Sequence, residues 1–237
     1  MSTSHRAGSA AVPGGTIPLY IALPDSGQGP GIVLFHEIFG LNEHIRGRAD
    51  RLAGIGYVVV APDFFWRLGP DRPIDEGEPD AMTRGMGQVQ QLDISLAVQD
   101  GVAVLDHLRV MHEVRGGVGV LGYCFGGMLA FQVAARSQPD AAVLYYPSVV
   151  HELLEVAPGI HCPTLYEFGS ADEFLPHDVA DRVRDATAGA EGVQVIVHEG
   201  ANHAFDNERF RLHHAEAAAA AWREAQQFLS RWLPAGR

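Results

Sequence analysis

The stretch VGVLGYCFGGMLA, residues 118–130, decides how this chain folds. A run of apolar residues enters Gly122-Tyr123-Cys124-Phe125-Gly126-Gly127, and a second apolar run leaves it. That is the pattern of a strand, a very tight turn and a helix. Gly122 and Gly126 stand two residues either side of Cys124, where a sharp reversal brings backbones too close for a Cβ. The turn therefore presents Cys124 at a helix N-terminus, where partial positive charge and free N–H groups favour a thiolate. Serine is the usual occupant of such an apex, and an isolated cysteine is more often a small buried residue. The turn alone leaves both readings open.

Outward from this turn, short apolar runs alternate with helical ones. TIPLYIAL (16–23) follows Pro13-Gly14-Gly15 and reads as a strand, hairpinned with residues 7–12. GIVLF (31–35), YVVVA (57–61), GVGVLG (117–122), AAVLYY (141–146), TLYEFG (164–169) and VQVIVH (193–198) read as further strands. Helices are expected over 42–55, Gln90 to His112, Gly126 to Ser137, 177–189 and 213–232. Residues 64–90, rich in Pro, Gly and Asp, read as a long irregular loop of functional use. The expected fold class is α/β, a mainly parallel sheet with helices on both faces, in a single domain spanning 1–237.

Composition excludes several classes. With 17 Lys+Arg against 29 Asp+Glu the net charge is −12, and no basic cluster is available for nucleic acid. No apolar stretch is long enough for a membrane span, and MSTSHRAGSAAVPGG lacks the apolar core of a signal peptide. Two cysteines, Cys124 and Cys162, make no disulfide framework, so a cytoplasmic setting is expected. Gly117 to Gly122 matches G-x-G-x-x-G but is itself the strand, so no dinucleotide site is read there. His36-Glu37 with Glu43-His44 is not H-E-x-x-H, so no zinc site is read.

In open sheets of this kind, chemistry gathers beyond the C-terminal ends of the strands. Asp172, in GSADEFLP (169–176), follows one strand, and His203, in HEGANHAFDN (198–207), follows the last. Alone, Asp172 reads more readily as a cap for the helix beginning near Pro176, and His203 is one of 12 histidines. Together with Cys124 they reproduce the order nucleophile, acid, histidine of the α/β-hydrolases. The loop HEIFGL (36–41) lies where that fold supplies one oxyanion N–H, the other coming from the residue after the nucleophile. Ile38 and Phe125 are the candidate donors, and Glu37 faces the same cleft.

With HEIFGL, GYCFGG, GSADEFLP and NHAFDN in this order, the chain resembles the dienelactone hydrolase (carboxymethylenebutenolidase) family over nearly its whole length. The resemblance implies an α/β-hydrolase domain with no cofactor and no metal, a Cys-His-Asp triad carried by Cys124, His203 and Asp172, and a small lactone or ester as substrate. It also implies that Glu37 contacts the resting nucleophile and moves when substrate binds. The family holds its substrate carboxylate with two arginines. Arg84 matches one by position; the other falls on Asn207, with Arg209 displaced from it. Asparagine cannot replace a bidentate guanidinium, so a different lactone or ester, one without a carboxylate, is open. Phe39, Tyr123 and Trp66 are further candidate substrate contacts, and Phe64 and Phe65 share the apolar cluster. A broad carboxylesterase or thioesterase, or a silent binding protein on the same fold, are the alternatives; monomer and small homo-oligomer both fit.

Overall fold

The computed structural model describes residues 4–69 and 73–236. Its strands are β1 (Ser4–Val12), β2 (Gly15–Leu23), β3 (Gly29–Phe35), β4 (Val58–Pro62), β5 (Val114–Tyr123), β6 (Ala141–Tyr145), β7 (Thr164–Gly169) and β8 (Gln194–His198). They form one sheet in the order β1-β2-β4-β3-β5-β6-β7-β8. Pairings from β4 to β8 are parallel, while β1 and β2 add an antiparallel hairpin at one edge. Every residue of β3, β4 and β6 is buried, which is what their unbroken apolar sequences require of strands covered on both faces.

The helices are α1 (Glu43–Ala53), α2 (Ala81–Gln90), α3 (Ile94–Val110), α4 (Phe125–Ser137), α5 (Val179–Ala186) and α6 (Ala215–Trp232). One group joins α3 to α4; in another, the Arg51 guanidinium of α1 lies 4.0 Å over the Trp222 ring of α6. Asn42, Asp93 and His214 cap α1, α3 and α6 by accepting N–H bonds from Ile45, Leu96 and Ala217.

Two expectations change. The stretch 64–90 is not irregular throughout: it holds a short 3₁₀ turn, Trp66–Leu68, and then α2, while residues 70–72 lie outside the described ones. The next helix starts at Ile94 rather than Gln90, because Asp93 caps it. The G-x-G-x-x-G match does lie within a strand, β5.

The turn between β5 and α4 has the expected crowding. A Cβ on Gly122 would sit 2.3 Å from the Gly126 carbonyl oxygen, and one on Gly126 2.4 Å from that of Phe35. Both obstacles are backbone and cannot swing aside. Gly126→Ala is expected to cost about 1–3 kcal/mol of stability, the usual penalty of overpacking, and to displace Cys124. Urea unfolding checks the first effect, and thiol alkylation rates the second.

Candidate active site

Cys124 occupies the apex with φ 53° and ψ −118°, a backbone conformation that side chains rarely adopt. It is held there by its own N–H donating to the Tyr145 carbonyl (3.0 Å) and its carbonyl accepting from Ser148 and Met128. Unlike the capped helices, α4 has no side-chain cap, so its leading amides stay open toward the thiol. Of the five non-glycine residues with positive φ among the described residues, Cys124, Tyr146, Val149 and Ala204 adjoin this site. Strain of this kind persists only where surrounding structure enforces it, and its concentration here points to function.

His203 and Asp172 come from the loops after β8 and β7. Those loops are zipped together: Ala171 N–H donates to the Ala201 carbonyl, and the Asn202 side chain accepts from the amides of both Glu173 and His203. The His203 Nδ1 donates to Asp172 Oδ2 at 2.7 Å. The other oxygen, Oδ1, accepts from Phe174 and Leu175 N–H, at 2.9 and 3.1 Å. Asp172 thus organises its own turn and orients the histidine at once, while the N-cap of α5 is Asp178. Tyr146 and Phe174 flank the imidazole ring. Burial pulls the His203 pKa down, but the facing Cys124 and the bonded Asp172 outweigh it and push it up to about 10.

Glu37 is buried, and its Oε2 accepts from Asn207 Nδ2 at 2.6 Å. The same nitrogen lies 3.3 Å from Glu76 Oε1, which also accepts from Asn42 at 2.6 Å. Burial, helped by the neighbouring Glu76 and Asp206, raises the Glu37 pKa to about 8 against the Asn207 bond and His203. The resemblance placed Glu37 on the resting thiol. Here Asn207 holds it instead, and the side-chain partners of Cys124 are His203 and Ser148, whose Oγ lies 3.2 Å from Sγ.

His36 fixes the adjacent loop. Phe64 N–H donates to its Nε2 (3.1 Å), so Nδ1 carries the proton and donates to the Glu37 carbonyl (2.7 Å). That carbonyl shares a trans peptide plane with the Ile38 N–H, so the bond also sets the direction of the amide. Arg48, buried and bound to Asp206 through Nε (2.8 Å), anchors the strand of loop that carries Asn207.

Cys124 and His203 open onto a cavity of about 280 Å³. Cys124, His203, Glu37 and Ser148 share its wall with apolar side chains that include Ile38, Phe39, Met82 and Phe210. A more open hollow of about 480 Å³ beside Tyr57 and α6 lies away from Cys124 and His203, among Arg223, Gln227 and Ser230. Three expected substrate contacts are displaced from the cavity. Trp66 packs on Gly15 and donates to Asp100, because its indole N–H finds a buried carboxylate there. Arg84 pairs outward with Glu78 and Asp80. Tyr123 is buried with its ring tilted against that of Tyr145, and Phe64 and Phe65 belong to the core. Asn207 is also outside the wall but touches it through Glu37.

Ser148, Asn202, His36, Arg48 and Glu76 were not read from the sequence. His36, Ser148 and Asn202 follow the C-terminal ends of parallel strands, a signal of position that does not tell them from their loop neighbours.

The chain is 31% identical to a carboxymethylenebutenolidase of Pseudomonas putida over 217 residues, 92% of each. It is 31% identical to carboxymethylenebutenolidase 1 of Cupriavidus pinatubonensis over 165 residues, 70% of each. The crystal structure of a dienelactone hydrolase from Anabaena variabilis shares the fold, with a TM-score of 0.72 at 20% identity, covering 98% of this chain and 100% of that one. The Dienelactone hydrolase family matches residues 17–233, and with the elbow at Cys124 and the loops of β7 and β8 in place, the chain belongs to that family.

Proposed function

We propose that the chain is a cofactor-independent hydrolase that opens a small ester or lactone through Cys124, His203 and Asp172. The observation that carries this reading is His203, bonded to Asp172 at 2.7 Å and interacting with the thiol at a strained apex inside a cavity.

The thiolate attacks the carbonyl carbon, forming a C–S bond and moving the C=O electron pair onto oxygen. The N–H groups of Ile38 and Phe125 receive that oxyanion, each such donor being worth about 3 kcal/mol in well-studied hydrolases. When the intermediate collapses, the C–O bond of the leaving group breaks and His203 gives it a proton. In a lactone the leaving oxygen stays tethered to the product.

Acylation then changes His203. The thiolate charge, foremost of the influences that raise its pKa, disappears when sulfur becomes a thioester, while burial still pulls the pKa down. The ring that entered as an acid becomes a base. It takes a proton from water, the hydroxide attacks the thioester carbonyl, and the C–S bond breaks to return the thiolate.

Rapid-quench mass spectrometry with an activated ester should show the protein heavier by one acyl group, mapped to the peptide containing Cys124. Acylation of another residue, or turnover with no adduct at any time, counts against the mechanism.

A further inference from the structure

We propose that this site selects uncharged esters or lactones of apolar acids and turns away those whose acid part carries a carboxylate. The inference rests on the hydrolase reading above and deepens it.

Two features of the cavity carry it. The first is the hydrocarbon lining and its continuation outward. Of the five large hydrophobic side chains exposed among the described residues, Met86, Val149 and Phe174 all stand on the cavity wall, 40–48% exposed. An apolar chain seated inside has a hydrocarbon surface to run along as it leaves. Such a surface in water, joined to a buried nucleophile, is what an apolar ligand would cover.

The second feature is the charge of the cavity. Beyond the Cys124–His203 pair, the ionisable group on the wall is Glu37, itself an acid, with a buried Oε1 that has no hydrogen-bond partner. Glu76 stands behind it on the same Asn207 amide. The chain contains no lysine, so a clamp for a carboxylate has to be arginine. No described arginine lines the cavity. Arg84 pairs with Glu78 and Asp80, Arg209 with Glu43, Asp75 and Glu76, and Arg211 with Glu173. A carboxylate entering this space would lose its water, meet no described cation other than His203, which already faces Cys124 and Asp172, and face a carboxyl group. An uncharged oxygen can instead accept from Glu37 in its protonated form.

The test compares two esters of one leaving group: 4-nitrophenyl butyrate and the 4-nitrophenyl monoester of succinic acid, which adds a terminal carboxylate at similar chain length. The expected kcat/KM favours butyrate by about 100-fold at low ionic strength, as burying a carboxylate without a partner cation requires. Met86→Arg, at a half-exposed rim position where a guanidinium keeps its water, should narrow the ratio to below about tenfold. Cleavage of both esters at equal rates, or of the succinate ester faster, overturns the selectivity when Cys124→Ala abolishes both reactions. A ratio that Met86→Arg leaves unchanged overturns its electrostatic cause. If neither ester is cleaved, or Cys124→Ala cleaves both undiminished, the hydrolase reading falls and the selectivity with it.

Discussion

Cys124→Ala is expected to lower kcat/KM for an activated ester by about 10⁴-fold or more, because the members of a nucleophile–base–acid unit act together and removing one disables the rest. What remains is catalysis by the amides of Ile38 and Phe125 and by the cavity. The fold should survive: alanine is smaller than cysteine, and the strained backbone at 124 is held by main-chain bonds to Tyr145, Met128 and Ser148. The same variant tests the electrostatics. With the thiol gone, burial and Asp172 are left to set the His203 pKa, which should fall clearly below the present value of about 10. An NMR titration of the imidazole reads this directly, and it mimics the loss of charge that acylation brings. Undiminished esterase activity, or an unmoved His203 pKa, would each remove a step from the proposed cycle.

The parts of this molecule written in local sequence were legible before the structure. Unbroken apolar runs gave the parallel strands, and paired glycines gave the elbow, because both effects act over a few residues. Helix α2 was hidden for a related reason. It contains Gly85 and Gly87, poor helix formers, yet a Cβ on Gly85 would lie 2.9 Å from Ile38. That glycine serves close packing against Ile38 in the loop after β3, a tertiary demand that outweighs propensity. Asn207 shows the limit most clearly. The sequence shows an arginine missing; only the fold reveals that its amide reaches Glu37, 170 positions away, and Glu76 beside it. Ser148, too, becomes visible only when its loop is folded over Cys124.

The acid that Asn207 holds should leave a mark on stability as well as on specificity. Glu37 has its ordinary pKa of 4.5 when unfolded and about 8 when buried in the native protein. Between these values the native state binds more protons than the unfolded one, so stability falls as pH rises. The contribution is fully present below about pH 4.5, shrinks through the window, and is gone above about pH 8. By pH 7 the loss reaches about 3 kcal/mol, at roughly 1.4 kcal/mol per pH unit. Glutamine has the same shape and an oxygen to accept from Asn207, but no proton to lose. Glu37→Gln should therefore match the wild type near pH 4.5, exceed it by about 3 kcal/mol at pH 7, and gain nothing further above pH 8. Urea denaturation at four or five pH values measures this, and parallel stability curves would refute it. Glu76→Gln provides the control: removing the neighbouring charge should lower the Glu37 pKa, so that the gap still opens near pH 4.5 but stops widening at a lower pH and stays smaller, since Glu76 is among the influences that raise it. A widening gap would show that the fold carries a destabilising carboxyl at neutral pH in the wall of its own cavity. Packing alone would be served as well by glutamine, so a destabilising acid kept in the cavity wall is a mark of function rather than of stability.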